Sequence, residues 1–375
     1  MLDRWLRRTF ELQDPAHARL LPMEGLRGLA VTLVFLQHAG VQALALGLPP
    51  GATRAMAVVC GNYGNLGVEL FFLLSGYLIY GTLVRRAPEF APFMARRAWR
   101  IYPAFLAVFA PMLALTLLAP IPGRLPDGLV GGALGILANL LFLPGLLPMP
   151  AVVTVAWSLS YEVFFYIVTA AVVLGLGMHG MARGWRFAIL GAAAAGFVAG
   201  CALGPPGFPV RMAPFFAGMA LAEGLGRRVP GWLGLAAPVF GCAVVAVGVP
   251  LGMAGEFLQT ACFYVLCAVC FRGTGAAARA MAWAPLRWLG NMSYSYYLVH
   301  GLVVRVAFVA LGRVLPGGLP PWAFWALLAP LFAATLAAGA VLFIAVEKPV
   351  SLRPRAPRMA GGRRPAPSSS GRGPG

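Results

Sequence analysis

The sequence predicts an all-α, polytopic helical membrane protein, and three observations carry that prediction. Of its 375 residues 60% are hydrophobic and only 11% are charged, where a soluble domain has about 25% charged. The mean hydropathy is +0.81. Runs such as 101–119 and 323–346 are long and uniformly apolar, whereas barrel strands read as alternating segments of about 10 residues. A bilayer core about 30 Å thick takes roughly 20 apolar residues per helix, so ten spans absorb about 200 residues and leave no room for a separate soluble domain.

In chain order, apolar segments fall near 25–46, 63–84, 101–120, 128–148, 153–177, 187–204, 209–226, 232–253, 256–271, 287–311 and 322–346. Arg4, Arg7, Arg8 and Arg19 precede the first run, and no short apolar stretch with a small-residue cleavage site stands at the start. The first span therefore reads as an anchor rather than a removable signal. The positive-inside bias puts the N-terminus, 85–100, Arg183 and Arg186, Arg227 and Arg228, 272–287 and the C-terminal tail on one side. That arrangement needs an even number of spans, and there are eleven candidates. Segment 128–148 contains Gly131, Gly132, Gly135, Pro144 and Gly145. It is expected to be re-entrant or interfacial, because broken backbone at membrane depth is tolerated where it lines a protein cavity. About ten spans remain, in the cell membrane with both termini cytoplasmic. The domain organisation is then a cytoplasmic segment at 1–20, a membrane domain at 21–352, and a Pro-, Gly-, Ser- and Arg-rich tail at 353–375 that is expected to be disordered.

The formal charge of +18 comes from 28 Arg and the single Lys348 against 11 acids. The arginines cluster between spans and in the tails, without the aromatic-basic interleaving of a nucleic-acid groove, so charge here encodes topology and no nucleic-acid partner is expected. Cysteines lie at 60, 201, 242, 262, 267 and 270. Cys267 and Cys270 have a C-x-x-C spacing, but no His or carboxylate stands beside them. They read as small packing residues, and no metal site is expected.

Ionisable groups at membrane depth are expensive, so those that remain mark function. Four stand out: His38, Glu69, Glu162 and His300. At about 1.5 Å per residue, His38 lies roughly 20 Å above the inner end of its helix, and Glu69 and Glu162 about 10 Å below the outer ends of theirs. His300 reaches a similar level, so the four are expected in one layer. Arg27 lies eleven residues before His38, which returns to within about 20° of the same helix face, roughly 16 Å lower. Arg27 is therefore expected at the cytoplasmic mouth of a cavity whose deeper wall carries His38. Arg97 and Arg100 in RRAWR share a helix face and suit phosphates, although on the residues alone a topology role is the stronger reading. In LGNMSYSYYLVHGL, Ser293 and His300 are seven apart, with Tyr296 and Tyr297 near the same face. That polar stripe serves either substrate contact or hydrogen bonding between helices.

The blocks LRGLAVTLVFLQH, GVELFFLLSGYLI, RRAWRIYP, WSLSYEVFFY, LGNMSYSYYLVH and VEKP, in this order, resemble the acyltransferase 3 family of bacterial integral-membrane O-acyltransferases. The resemblance covers roughly residues 20 to 352. It implies a ten-helix fold, acyl-CoA, usually acetyl-CoA, as a co-substrate taken from the cytoplasm, no permanently bound cofactor, and a hydroxyl-bearing glycan, envelope component or metabolite as acceptor. By resemblance the arginine-x10-histidine element falls on Arg27 and His38, the R-x-x-R element on Arg97 and Arg100, and the carboxylate after W-S-L on Glu162. Gly301 after His300 departs from many relatives, and no esterase-like domain follows the last span.

Acyl transfer to an alcohol needs a base of near-neutral pKa and a stabiliser for the tetrahedral oxyanion. His38 is the expected base, with Glu69 or Glu162 as the carboxylate that fixes its tautomer. Direct transfer is favoured over an acyl-enzyme, since no nucleophile is singled out. Buried His and Glu among broken helices also describe a proton-coupled transporter. Such carriers usually have matched halves, and none is found.

Overall fold

The computed structural model describes residues 1–11, 21–118, 124–203, 210–224, 229–246, 252–273 and 275–352. The tail at 353–375, Arg19, and Arg227 with Arg228 lie outside these residues. Among them the chain is helical, and eight helices are long and apolar enough to cross a membrane.

A short helix, α1 (Leu2–Phe10), precedes the first long one, α2 (Leu21–Ala45), which carries Arg27 and His38. Next come α3 (Ala52–Arg86) and α4 (Phe90–Leu118). α4 tolerates Pro103 and Pro111 in its interior, as membrane helices do where neighbours satisfy the freed carbonyls. The segment expected to be irregular is short: α5 (Leu129–Leu140) has 12 residues, about 18 Å and too little to cross the core. Asn139 ties it down, donating to the Pro150 carbonyl at 3.1 Å and accepting from the Val152 amide at 2.9 Å. The chain then enters α6 (Trp157–Gly175) through a 3₁₀ turn at Thr154–Ala156.

Beyond it stand α7 (Arg183–Leu203), the shorter α8 (Ala213–Ala222) and α9 (Leu233–Ala246), then α10 (Met253–Cys270) and α11 (Gly275–Met281). α8 and α9 stand where two further spans were expected, but at 10 and 14 residues they, like α5, are shorter than the roughly 20 residues a span takes, so eight candidate spans are described where ten were expected. The segment expected near 287–311 is broken at Met292 into α12 (Ala284–Asn291) and α13 (Ser293–Val314). The last span, α14 (Pro321–Leu342), widens into a π-helical segment at Phe343–Ser351 that contains Pro349.

Small residues set the packing of this bundle. A Cβ on Gly290 of α12 would lie 1.7 Å from the Glu24 carbonyl oxygen of α2, and one on Gly28 would lie 2.0 Å from that of Leu286. The pair Gly76 and Gly218 joins α3 to α8 in the same way, 2.3 and 2.1 Å from the carbonyls of Phe215 and Leu73. Lipid offers no hydrophobic drive for helix association, so backbones approach wherever glycine permits and van der Waals packing holds them. Cys267 and Cys270 are fully buried among Phe263 and Leu266 in the apolar cluster between α10 and α2.

The end of the bundle that holds Arg27 is tied by charge. Arg287 donates to Glu24 at 2.9 Å, Lys348 donates to the Arg8 carbonyl at 2.8 Å, and Asn291 reaches the Phe10 carbonyl at 3.0 Å. α1 is thereby docked rather than trailing.

Candidate active site

Two cavities are stacked along α2, α4 and α13. The first, about 150 Å³, takes Arg27 from α2, Arg97 and Arg100 from α4, Ser158 and Glu162 from α6, and Ser293 and Tyr297 from α13. The second, about 240 Å³, takes His38 and Gln42 from α2, Val108 from α4, and Leu298, Gly301 and Arg305 from α13. Each helix gives its residues nearer Arg27 to the first cavity and those nearer His38 to the second. We call the first inner and the second outer, after the expected topology.

The inner cavity concentrates cations in a buried setting. Arg27 donates from Nε to Ser293 Oγ at 3.1 Å. Arg97 stacks over the rings of Phe93 and Tyr166, 5.4 and 5.8 Å from their centroids. Its Nε is buried and has no hydrogen-bond partner among the described residues, a cost that a ligand oxygen would remove. Arg100 is held instead by Glu347, which is fully buried in the π-helical segment and also accepts from the Ser295 amide at 3.0 Å and from the Ser295 hydroxyl. π-helical turns recur at functional sites, and this one carries a carboxylate to the edge of the cavity. Glu162 accepts from Ser75 at 2.9 Å and from the Tyr166 hydroxyl.

A thin partition separates the cavities. The Tyr297 hydroxyl donates to the Val155 carbonyl at 3.0 Å and lies 2.8 Å from Ser158 Oγ. Ser158 and Tyr297 face the inner cavity, while Val155 faces the outer one. On the outer side His38 meets His300 with ring centroids 5.0 Å apart and planes at 72°. His300 Nδ1 lies 2.7 Å from the Tyr297 carbonyl oxygen, which only accepts, so the proton is assigned to Nδ1. Its Nε2 is then a buried acceptor without a partner among the described residues. Such an acceptor suits an N–H of the neighbouring His38 ring.

Several sequence expectations are corrected here. A single cavity running from Arg27 to His38 was expected; the Tyr297–Ser158–Val155 contact divides it. Among the described residues no carboxylate meets His38: Glu162 belongs to the inner cavity, and Glu69 lines neither. The Glu69 side chain is 4% exposed, faces Glu256 with Arg211 nearby, and leaves Oε2 without a partner among the described residues. Helix periodicity gave its depth but not which neighbour its face meets. His300, expected to touch substrate, lines neither cavity and is fully buried behind His38 and Tyr297. Ser293 and Tyr297 do line the inner cavity, and Arg27 joins Arg97 and Arg100 there, a meeting of α2 with α4 that no spacing within either helix could give. Sequence reasoning missed Glu347, Tyr166, Arg124 and Arg305. For Glu347 a signal was present in the VEKP block, where a carboxylate interrupts an apolar span.

The family model for the acyltransferase domain, acyltransferase 3, matches residues 22–344. The chain belongs to this family. Among its relatives is the exopolysaccharide production protein ExoZ of Rhizobium meliloti (strain 1021), 30% identical over 318 residues, 80% of this chain and 93% of that protein. Another is the acyltransferase MdmB of Streptomyces mycarofaciens, 28% identical over 391 residues, 94% of this chain and 95% of that protein. No solved structure matches. The protein is thus a membrane acyltransferase, and the carrier alternative raised by its buried His and Glu gives way to an enzyme. Residues of both cavities fall within the span that the acyltransferase 3 model matches.

Proposed function

We propose that this enzyme moves an acyl group, acetyl in the usual case, from acyl-CoA to a hydroxyl of a glycan, cell-envelope component or glycosylated metabolite. The supporting observation is the stacking of a buried three-arginine cavity directly against a histidine cavity on the same helices. In this reading the enzyme sits in the cell membrane with both termini cytoplasmic, and the inner cavity opens toward the cytoplasm. Arg97 and Arg100 bind donor phosphate oxygens as forked donors. Arg27, held by Ser293, and Glu162 line the path of the thioester arm toward the partition. The glycan class of acceptor draws support from the exopolysaccharide relative.

His38 accepts the proton of the acceptor hydroxyl as its oxygen attacks the thioester carbonyl carbon. The tetrahedral oxyanion then collapses, the carbon–sulfur bond breaks, and the departing CoA sulfur takes that proton from the imidazolium. One ester and one thiol form from one thioester and one alcohol. His300 acts as a positioning residue: its ring packs edge-on against His38, and its unpartnered Nε2 is an acceptor that a small turn of His38 would bring onto one ring N–H, leaving the other nitrogen for the substrate. Tyr297 and Ser158 stand between the two cavities, and their hydroxyls become donors to the oxyanion once they turn from the Val155 carbonyl.

The test is transfer of label from [acetyl-¹⁴C]acetyl-CoA by purified protein in nanodiscs, with a panel of oligosaccharides as acceptors and water as the background acceptor. Labelled ester or accelerated CoA release is expected. No turnover of acetyl-CoA, propionyl-CoA or longer acyl-CoA, in protein that unfolds cooperatively, would overturn the reading.

A further inference from the structure

The outer cavity holds two cations that neither the donor nor the base requires. Arg124, between α4 and α5, and Arg305, on α13, both line it, with no carboxylate among its lining residues. Arg124 is 9% exposed and is anchored through Nη1 to the Val152 carbonyl. Burial, and then the nearby charge of Arg305, push its guanidinium below the usual value. Both guanidiniums line the same cavity, and like charges that share a cavity cost free energy unless an anion joins them.

Arg305 has no hydrogen bond or ion pair to any described residue and lies exposed in the cavity wall. It stands nine residues before Val314, the end of α13, about two and a half turns deep. The place of an arginine that merely reaches for the interface is taken by Arg313, in the last turn. Nor does Arg305 belong to the arginine-rich segments that the positive-inside bias explains, since it lies at the opposite end of α13 from Ser293. An unpaired cation at membrane depth that faces a cavity marks a substrate path.

Spacing adds the scale. A Cβ on Gly301 would lie 3.9 Å from His38 Cε1, and Arg305 follows Gly301 by four residues on the same face, about 6 Å farther out. That is the width of one sugar ring. Gln42, one turn beyond His38 on α2, lines the same space and can hydrogen-bond neutral hydroxyls.

We propose that the outer cavity selects an acidic acceptor, in which the hydroxyl to be acylated lies within one sugar ring of a carboxylate or phosphate held by Arg305 and Arg124. The proposal rests on reading the outer cavity as the acceptor chamber. The acid could be a carboxylate on the sugar or a phosphate linking the sugar to a lipid, and separate probes distinguish them.

The experiment titrates three probes into the full chain in phosphatidylcholine nanodiscs by calorimetry: a glucuronic-acid-terminated disaccharide, its carboxyl-reduced neutral counterpart, and a neutral sugar joined to a short alkyl chain through phosphate. At least one acidic probe is expected to bind about ten-fold more tightly than the neutral one, as a charge-assisted contact gives. Arg305→Gln should reduce that preference to under about three-fold, and Arg305→Lys should keep most of it. Equal binding of all three probes to wild type, or an acid preference that survives Arg305→Gln, would overturn the proposal. Acetyl-CoA is titrated into the same samples. If it fails to bind while the acid preference stands, the donor assignment fails and the acceptor inference survives.

Discussion

The inner and outer cavities share α2, α4 and α13 but are furnished differently. The inner one sets Arg27, Arg97 and Arg100 against Glu162, with Glu347 behind them. The outer one has His38 and two arginines with no carboxylate at all. A chamber that balances its cations with fixed carboxylates stays folded when empty and exchanges its anion readily. A chamber that leaves them unbalanced depends on what arrives. In the proposed function this difference assigns reversible donor binding to the inner cavity, and alignment and deprotonation of a hydroxyl to the outer one.

That division can be broken most severely at His38. His38→Ala is expected to lower transfer by about 100-fold or more, the contribution of a general base. His300→Gln should cost less, since it removes a positioning acceptor rather than the base, and should shift the pH profile of kcat. A pH profile unchanged in a slowed His300→Gln enzyme would instead mark His300 as packing only.

Arg100→Ala tests the inner chamber's framework. It leaves Glu347 buried beside Ser295 without its cation, which costs about 3 kcal/mol, so a lower unfolding temperature should accompany a raised donor KM. Arg97→Ala should raise donor KM without that stability loss, because among the described residues Arg97 has ring contacts but no ion pair. Equal destabilisation by both would remove the distinction between a framework arginine and a ligand arginine.

Gly290→Ala disturbs neither chamber selectively. Its new methyl meets the Glu24 carbonyl at the α2–α12 contact, and overpacking of this kind costs about 1–3 kcal/mol. Thermal unfolding should fall while the ratio of donor to acceptor KM stays fixed. The smallest effect is expected at Glu162→Gln, which keeps the Ser75 hydrogen bond and removes one counter-charge from the inner cavity. Donor KM should move a few-fold, about 1 kcal/mol or less, with acceptor KM unchanged; a change confined to acceptor KM would return Glu162 to the outer chamber.

Much of this was legible in the sequence. The helices followed from apolar run lengths, and the glycine- and proline-rich 128–148 segment holds only a 12-residue helix; the shortness of α8 and α9 was not foreseen. The eleven-residue spacing predicted a shared face for Arg27 and His38, and each lines one of the two cavities. What it could not give was the wall between them, because Tyr297 and Val155 meet only when α13 packs against the turn before α6. Glu69 shows the same limit: its depth was readable, but its neighbour Glu256 is 187 positions away in the chain. Arg124 and Arg305 were passed over because an argument built on clustered inner arginines treats scattered outer ones as background.

The central claim is that donor binding and base catalysis are housed separately, and one paired measurement tests it directly: acetyl-CoA affinity by calorimetry beside single-turnover transfer, in His38→Ala and Arg97→Ala. His38→Ala should bind acetyl-CoA within about two-fold of wild type while transfer falls about 100-fold. Arg97→Ala should bind it about ten-fold or more weakly while saturating donor restores most of the rate. If His38→Ala loses acetyl-CoA binding as severely as Arg97→Ala does, the two cavities are one site and the account is wrong.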